Sequence, residues 1–363
     1  MERENMNKRF IPFSPPDISE LEIQEVAEAL RSGWITTGPK TKELEREVAD
    51  LCGVNRAVCL TGRTDVDCNT EEDVKKYSNR VVCLNSATVA EELNLRIFGV
   101  GPGDEVIVPA YTYTASASAA IHCGAKVVFV DIQKDGDHVT RMPEMDYEKL
   151  EAAINEKTKV LILNTPNNPT GVVYPESVIK EIADCLREES AKYGHEIIII
   201  SDEPYRELVY GDIEVPYITK YYDNTVVSYS YSKSLSLPGE SIGYLVIPDE
   251  LADSETVKAA CGVATRIMGF VNAPAIMQKV VKENIDAEVD VEVYNKNRLA
   301  LYNALTEYGF ECVKPDGAFY LFMKTPTEDE REFTDKAREY NILVVPCSDF
   351  GGKGYVRIAY CVS

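Results

Sequence analysis

Residues 230–239 read SYSKSLSLPG, a serine-rich stretch that carries Lys233 shortly after the apolar run 226–229. Upstream, the apolar run 197–200 leads into SDEPY, in which Asp202 is the first carboxylate. Short apolar runs of this kind are typical of strands buried on both faces, and such strands belong to parallel sheets. Ligands bind outside the carboxyl ends of parallel strands, which is where Asp202 and Lys233 are expected. The sequence therefore predicts a ligand site at that edge of a sheet.

The same pattern recurs along the chain and predicts the fold class. Six apolar runs alternate with helical patterns, at residues 106–108, 127–130, 160–163, 197–200, 226–229 and 244–247. Helical stretches such as 177–193 are suited to cross between neighbouring parallel strands. An earlier helix is expected after Asp17, because Ser19 and Glu22 fit a capping box, and Gly33 is expected to end it. We therefore expect an α/β fold with a mainly parallel sheet.

Asn168 lies upstream of Asp202 and Lys233, and the three residues together match the needs of one cofactor. Pyridoxal phosphate needs an amine to hold its aldehyde as a Schiff base, a carboxylate to keep its pyridine nitrogen protonated, and hydrogen bonds to its ring hydroxyl. Lys233 would supply the amine, Asp202 the carboxylate, and Tyr205 with Asn168 the hydrogen bonds. The alternatives are a solvated lysine, a turn aspartate and an asparagine that only begins a turn.

From about residue 150 to residue 363 the chain resembles the class I/II aminotransferases of fold type I. Four motifs in the order of that family carry the resemblance: NTPNNPTG at 164–171, SDEPY at 201–205, SKS at 232–234 and GYVRIAY at 354–360. The resemblance implies a large domain with a mainly parallel sheet that binds pyridoxal phosphate, and a smaller α+β domain. It also implies that Arg357 binds the α-carboxylate of a substrate through a bidentate contact, with a surface ion pair as the alternative.

From about residue 18 to residue 158 the chain looks like another branch of the same fold, the DegT/DnrJ/EryC1/StrS aminotransferases, which act largely on nucleotide sugars. The motifs that carry this second resemblance are GWITTGP at 33–39, LNSAT at 84–88 and GPGDEVIVPAYTYT at 101–114. The chain is thus interpreted as a hybrid with a seam near residues 150–160. The second resemblance implies that Tyr113 covers the face of the cofactor ring, and a core tyrosine is the alternative.

The phosphate of the cofactor is expected at the start of the helix that begins in LNSAT. The backbone N–H groups of Ser86, Ala87 and Thr88 would point at the anion, and the Thr88 hydroxyl would add a donor. Ser230 and Ser232 would supply further hydroxyl groups. Serines before a helix often serve only as caps, so both interpretations stay open.

Three features depart from the patterns of the two families. The class I/II pattern has a phosphate-binding arginine where this chain has Ser241. Residues 61–80 are polar and separate the near repeats AVCL at 57–60 and VVCL at 81–84, which predicts an inserted loop with a short helix. The resemblance further implies that the small domain is truncated at Ser363.

These patterns divide the chain into three expected regions. Residues 1–45 form an amino-terminal segment that packs with the small domain, residues 46–250 the large cofactor-binding domain, and residues 251–363 the small domain. A chain of 363 residues with 45% hydrophobic residues can bury cores for two domains. Fold type I enzymes act as dimers, so the resemblance also implies a two-fold homodimer.

The composition excludes several classes of partner. With 60 acidic and 38 basic residues, the net charge of −22 disfavours binding to nucleic acid or to an anionic membrane. No apolar run is long enough to cross a bilayer. The ten cysteines lack a CxxC pair or zinc-ligand spacing and are expected to be buried in a reducing compartment. We therefore expect a cytoplasmic protein without a metal, a nucleic-acid partner or a membrane.

The leading functional hypothesis is an aminotransferase that moves an amino group between an amino acid and a 2-oxo acid. A nucleotide-sugar aminotransferase is the first alternative. A lyase is the second, because pyridoxal phosphate supplies the electron sink and the surrounding residues choose which bond breaks. The third is a catalytically impaired protein of the same fold that binds the cofactor weakly, because Ser241 replaces an arginine.

Overall fold

The fold is taken from a computed structural model. It describes residues 19–32, 44, 48, 81–84, 86–132, 134–135, 138–139, 146–240, 242–269, 273–287 and 289–362. The predicted inserted loop at 61–80, the GWITTGP motif, the helix-ending Gly33 and Ser241 all lie outside these residues.

A seven-stranded sheet forms the centre of the larger part of the chain. Its strands, in chain order, are β1 (Val81–Leu84), β2 (Glu105–Pro109), β3 (Lys126–Val130), β6 (Thr158–Asn164), β7 (Ile198–Asp202), β8 (Thr225–Ser230) and β9 (Gly243–Val246). The spatial order is β1-β9-β8-β7-β6-β2-β3. The pairs from β3 through β8 are parallel, and β9 is antiparallel to both of its neighbours. The predicted mainly parallel sheet is confirmed. Two short strands, β4 (Lys134–Asp135) and β5 (His138–Val139), pair with each other elsewhere.

The helices alternate with the strands of this sheet and then dominate the last third of the chain. They are α1 (Glu20–Ser32), α2 (Ala87–Ile97), α3 (Thr114–His122), α4 (Tyr147–Ala153), α5 (Glu176–Tyr193), α6 (Tyr231–Ser234), α7 (Ser254–Ile267), α8 (Ala275–Glu283), α9 (Val291–Glu307) and α10 (Glu330–Glu339), with 3₁₀ turns at Ile218–Lys220 and Cys347–Phe350. The predicted crossover helix at 177–193 is α5. Among the described residues no helix is long and apolar enough to cross a membrane.

The large sheet is covered on both faces, which explains the continuous apolar runs in its strands. Successive side chains of a strand point to opposite faces. In β6, Leu161 and Leu163 pack into one buried cluster, whereas Val160 and Ile162 pack into another on the opposite side. Polar side chains are therefore left to the strand ends, where Asp202 closes β7.

A second, antiparallel sheet lies near the end of the chain. Its strands are β10 (Cys312–Val313), β11 (Tyr320–Lys324), β12 (Val345–Pro346) and β13 (Tyr355–Ala359), in the spatial order β10-β11-β13-β12. Phe322 of β11 is opposite Arg357 of β13 in the register. Phe322 and Tyr355 belong to the same buried cluster as Leu161 and Leu163, so this small sheet packs against the large one.

The helix α1 shows the predicted capping box and packs on the last third of the chain. The backbone N–H of Ser19 donates to Glu22 Oε2 at 2.6 Å, and the N–H of Leu21 donates to Ser19 Oγ at 3.2 Å. Lys279 of α8 donates to Glu28 Oε2 at 2.8 Å. The packing of the amino-terminal segment with the small domain and the domain boundaries at 45 and 250 stay predictions.

Candidate active site

Asp202 ends β7 as a buried carboxylate with one oxygen paired and the other unpaired. Nδ2 of Asn164, the last residue of the neighbouring strand β6, donates to Asp202 Oδ2 at 3.0 Å. The other oxygen, Oδ1, is fully buried and has no hydrogen-bond partner among the described residues. An unpaired buried carboxylate oxygen is costly, so it is a natural position for a donor from a ligand.

The surroundings of Asp202 raise the pKa of its carboxyl group to about 7. Burial is the largest cause, and repulsion from the adjacent Glu203 is the second. The hydrogen bond from Asn164 and the charge of Lys233 act in the opposite direction. A cationic ligand beside Oδ1 would favour the ionised form in the same way.

Lys233 lies in α6, the short helix that directly follows β8. The Ser230 side chain caps this helix by accepting from the N–H of Ser232 at 3.2 Å. The Lys233 amine lies 5.8 Å from the ring centre of Tyr205 and 5.7 Å from that of Phe319. Burial lowers the pKa of Lys233, and Arg357 lowers it further, whereas Cys361 and Asp202 raise it. A lowered pKa increases the fraction of unprotonated, nucleophilic amine at neutral pH.

Tyr205 is held by aromatic residues that are distant in sequence. Its hydroxyl lies 3.2 Å from the hydroxyl of Tyr320, and both side chains are buried. Phe319 meets the Tyr205 ring edge to face, at a centroid distance of 5.5 Å. Burial, followed by the neighbouring Tyr320, raises the pKa of Tyr205, so its hydroxyl is a proton donor at neutral pH.

Arg357 and Asn168 meet between the two sheets. Nη1 of Arg357 donates to Asn168 Oδ1 at 2.8 Å. The guanidinium lies 4.3 Å from the ring centre of Tyr320 and 4.7 Å from that of Phe350. Arg357 Nε is buried and has no hydrogen-bond partner among the described residues. A planar, partly unpaired guanidinium between aromatic rings can bind a carboxylate.

The residues predicted to bind phosphate lie at two helix starts. Ser86 Oγ caps α2 by accepting from the N–H of Val89 at 3.2 Å, and Thr88 is exposed. The N–H groups of Ala87 and Thr88, in the first turn, have no acceptor within the helix. Ser230 Oγ lies 2.7 Å from Ser232 Oγ. The capping role of both Ser86 and Ser230 is confirmed, and their contact with a phosphate stays a prediction.

Tyr113 lies at the surface of the structure. Tyr113 directly precedes α3, and 48% of its surface is exposed. A core position for Tyr113 is therefore wrong, and its contact with a cofactor stays a prediction.

Among the described residues no group of histidine, cysteine and acidic side chains could hold a metal ion.

Sequence reasoning missed two residues of the site, Asn164 and Tyr320. Asn164 opens the NTPNNPTG motif, and its position opposite Asp202 in the register of β6 and β7 gives it a role. Tyr320 follows a glycine that contacts the loop after β6: the N–H of Gly317 donates to the carbonyl of Gly171 at 2.8 Å. Gly171 and Gly317 indicate a close contact between two chain segments. The spacing of residues along the chain did not indicate which segments meet.

Known proteins resemble the chain over nearly its whole length. The family model "Aminotransferase class I and II" matches residues 14–363. An aspartate aminotransferase of Pyrococcus abyssi is 30% identical over 341 residues, which cover 89% of this chain and 83% of the relative. The aromatic-amino-acid aminotransferase 2 of Thermococcus litoralis is 28% identical over 364 residues, which cover 96% of this chain and 86% of the relative.

Solved structures show the same fold. An amino transferase from Eubacterium rectale has a TM-score of 0.78 and 35% identity, over 96% of this chain and 83% of that one. The aspartate aminotransferase of Thermus thermophilus with maleate has a TM-score of 0.77 and 26% identity, over 97% of this chain and 86% of that one. The class I/II match includes the amino-terminal half, where only a DegT-like pattern was predicted. The chain belongs to the class I and II aminotransferases, and it is an enzyme that transfers amino groups.

Proposed function

We propose that the protein uses pyridoxal phosphate, bound through Lys233, to transfer an amino group between an amino acid and a 2-oxo acid. The observation that carries this proposal is the buried, unpaired Oδ1 of Asp202, which shares a site with the half-buried Lys233. A pyridine nitrogen that carries a proton would give Oδ1 the donor it lacks. The residues that are present therefore fit this cofactor.

Asp202, Tyr205 and Lys233 would each hold a different part of the cofactor. Asp202 would accept from the ring nitrogen, Tyr205 would donate to the ring hydroxyl, and Lys233 would bind the aldehyde carbon. The first turn of α2 and the hydroxyls of Ser230 and Ser232 would bind the phosphate. When bound, the cofactor supplies an electron sink that stabilises negative charge on the substrate carbon.

Lys233 also has the properties of a proton carrier once a substrate amine has displaced it. Its amine lies 5.8 Å from the ring centre of Tyr205 and 5.7 Å from that of Phe319, and partial burial lowers its pKa. An amine of lowered pKa can accept a proton from the substrate carbon at neutral pH and return it to another atom.

Arg357 supports an amino-acid substrate. Its guanidinium is held by Asn168 and by two rings, and Nε remains available to a carboxylate. A nucleotide sugar has no α-carboxylate for this group to bind. The nucleotide-sugar alternative rests on the motifs at 33–39 and 101–114, and the Arg357 geometry favours the amino acid instead.

The proposal also includes a homodimer. Val263 and Ile267 on α7 are 59% and 80% exposed, an apolar pair on one helix face. Exposed apolar groups of this kind are typical of contact surfaces. A homodimer would cover them, and light scattering at micromolar protein concentration tests the dimer. Cytoplasmic location stays a prediction from the sequence.

Borohydride reduction tests the assignment of Lys233. The protein is loaded with pyridoxal phosphate, reduced and digested, and the modified peptide is identified by mass spectrometry. We expect one labelled residue, Lys233, and no label in Lys233→Ala. The exposed Lys336 serves as the matched control, because Lys336→Ala should label as the wild type does. A label on another lysine, or none in cofactor-saturated protein, would contradict the proposal.

The unreduced protein loaded with pyridoxal phosphate tests the reaction. Addition of an amino-acid donor should shift the visible absorption of the bound cofactor, and a 2-oxo acid should restore it. A product that has lost its amino group as ammonia, with no aminated acceptor, would indicate a lyase instead.

A further inference from the structure

Tyr320 is a buried tyrosine to which the proposed chemistry gives no task. It begins β11 and is 4% exposed. Its hydroxyl lies 3.2 Å from the hydroxyl of Tyr205, and the Arg357 guanidinium lies over its ring, 4.3 Å from the ring centre. The proposed function places Tyr205 on the cofactor and Arg357 on the substrate. Tyr320 therefore contacts one residue for each of the two ligands.

The register of the small sheet brings Tyr320 to Arg357. Tyr320 of β11 is opposite Ala359 of β13, and Arg357 lies two residues before Ala359 on the same strand. Side chains two residues apart along a strand point to the same face of a sheet. Diagonal neighbours on one face are within reach of aromatic and long side chains. The contact between the Tyr320 ring and the Arg357 cation thus follows from the pairing of β11 with β13.

Backbone hydrogen bonds hold the start of β11 against the segment that follows Tyr205. The N–H of Ala318, two residues before Tyr320, donates to the carbonyl of Leu208 at 2.8 Å. The N–H of Leu208 donates in turn to the carbonyl of Tyr205 at 2.9 Å. The rings of Tyr205 and Tyr320 meet edge to face at a centroid distance of 5.9 Å. These contacts place the two hydroxyl groups beside each other.

The number of protons decides which hydroxyl donates when the cofactor is bound. Each hydroxyl has one proton to donate and can also accept. If Tyr205 donates to the ring hydroxyl of the cofactor, it has no proton left for Tyr320 and can only accept from it. Burial raises the pKa of both tyrosines; Tyr320 raises that of Tyr205 further, whereas Arg357 and the bond to Tyr205 lower that of Tyr320. These influences make Tyr320 the stronger acid and so the better donor.

The ring of Tyr320 acts on Arg357 in a different way. An aromatic face attracts a cation through its quadrupole. Phe350 supplies a second ring, whose centre lies 4.7 Å from the guanidinium, and Asn168 accepts from Nη1 at 2.8 Å. Arg357 Nε is buried and has no hydrogen-bond partner among the described residues. The rings therefore hold the cation and leave Nε for a carboxylate.

We propose that Tyr320 is a positioning residue for both ligands. Its hydroxyl donates to the Tyr205 hydroxyl and directs the Tyr205 proton toward the cofactor ring, and its own ring holds the Arg357 cation for the substrate carboxylate. This inference rests on the proposed function for the identity of the two ligands. The hydroxyl and the ring act on different ligands, so variants that lack one or both separate the two effects.

Tyr320→Phe removes the hydroxyl and keeps the ring. Adjoining hydrogen bonds polarise and strengthen each other, so its loss should weaken the binding of pyridoxal phosphate about twofold to fivefold. The KM for amino-acid donors at saturating cofactor should stay within about twofold, because the cation–ring contact remains. Tyr222→Phe is the matched control: it removes a similarly buried hydroxyl, which donates to the Ile197 carbonyl at 2.6 Å, and should change neither constant. Unchanged cofactor binding in Tyr320→Phe would overturn the role of the hydroxyl.

Tyr320→Leu removes the hydroxyl and the ring together. It should weaken cofactor binding as Tyr320→Phe does and also raise the donor KM about threefold to thirtyfold, the range for a cation–π contact. Tyr320→Met, which is flexible and has no ring, repeats this test, and urea unfolding shows that each variant is folded. Phe350→Leu removes only the second ring and should raise the donor KM alone. A donor KM that is the same in Tyr320→Phe and Tyr320→Leu would overturn the role of the ring.

A double-mutant cycle shows whether Tyr320 acts on the cofactor through Tyr205. In Tyr205→Phe the acceptor is gone, so the addition of Tyr320→Phe should weaken cofactor binding no further. A merely structural role would give the same extra weakening in both backgrounds, and that result would overturn the inference. The cycle measures dissociation constants and needs no turnover. It can fail while borohydride labels Lys233, which leaves the proposed function intact, whereas an unlabelled wild type would contradict both.

Discussion

Arg357 and Asn168 are 189 residues apart in sequence, and a 2.8 Å hydrogen bond from Nη1 to Oδ1 joins them. Arg357 belongs to β13 of the small sheet, and Asn168 belongs to the loop after β6 of the large sheet. The bond brings a cation from one sheet to the site at the edge of the other. Arg357 is proposed to bind the substrate carboxylate. Its loss should therefore affect substrate binding more than cofactor binding.

Replacement of Arg357 tests this relationship. Arg357→Ala removes the cation and should raise the KM for amino-acid donors about tenfold to a hundredfold, since hydrogen bonds to charged groups contribute about 1.5–3 kcal/mol. Arg357→Lys keeps the charge but loses the planar fork and should fall in between. Initial rates give the KM, and an absorbance titration gives the cofactor Kd, which should change far less. Arg338→Ala, at an exposed ion pair, is the control. Unchanged donor kinetics in Arg357→Ala would favour a substrate without an α-carboxylate.

Asp202 should make the cofactor-free protein less stable as pH rises. The folded state holds the pKa of Asp202 at about 7, above its ordinary value of 3.8, so the native state binds more protons between these values. The free energy of unfolding should therefore fall from about pH 4 to about pH 7 and level off above that. At 1.36 kcal/mol per unit, the Asp202 contribution falls by about 2 kcal/mol between about pH 5.5 and pH 7.

Urea unfolding of Asp202→Asn measures this contribution. The stability of the variant relative to the wild type should rise by about 2 kcal/mol over the same pH interval, because asparagine does not titrate. Asp335→Asn, at an exposed ion pair, should show no such trend. A difference between Asp202→Asn and wild type that stays flat with pH would mean that Asp202 remains ionised throughout.

Gly171 should be far less tolerant of a side chain than Gly194, although both have φ of +73°. A Cβ at Gly171 would lie 2.6 Å from Pro315 Cβ and 3.0 Å from the Gly317 carbonyl oxygen, whereas a Cβ at Gly194 would meet nothing within 4 Å. Gly194→Ala should cost about 1–2 kcal/mol of stability, the cost of the left-handed conformation for an L-residue. Gly171→Ala should cost more, by about 1–3 kcal/mol of overpacking.

Gly171→Ala should also displace Asn168, three residues earlier, and so raise the KM for amino-acid donors. Urea unfolding and donor kinetics of both alanine variants measure the two effects. Similar stability losses in the two variants would show that the loop after β6 can shift to make room, and the contact with Gly317 would then not fix the site.

Strand ends were predictable from the sequence, and contacts between distant elements were not. The apolar runs before Asp202 and Lys233 predicted both positions, because strands buried on both faces leave charged residues to their ends. Tyr320 gave no such signal, since only the docking of the small sheet brings its hydroxyl to Tyr205.

The burial of Glu91, which is 1% exposed in α2, was missed for a different physical reason. It stands beside Glu92 in α2, and two adjacent glutamates in a helix are typical of a solvated face. The helix turns about 100° between them, so that Glu92 reaches solvent while Glu91 enters the core. Only the packing of α2 on β7 and β8 distinguishes the two.

Ser241 should limit how tightly the protein holds its cofactor. The class I/II pattern has a phosphate-binding arginine at this position, which lies outside the described residues. A hydroxyl gives one neutral donor to a dianion, whereas an arginine gives a charged fork, and charge-assisted hydrogen bonds are roughly twice as strong. The protein should therefore lose cofactor on dialysis.

Ser241→Arg should tighten cofactor binding by about 1.5–3 kcal/mol and raise activity at limiting cofactor. Ser241→Gln, a neutral side chain of intermediate length, should do neither. Titration of the three proteins with pyridoxal phosphate gives the dissociation constants. Equal values for wild type and Ser241→Arg would mean that another cation already binds the phosphate, and weaker binding in the arginine variant would mean that the pocket is shaped around the serine.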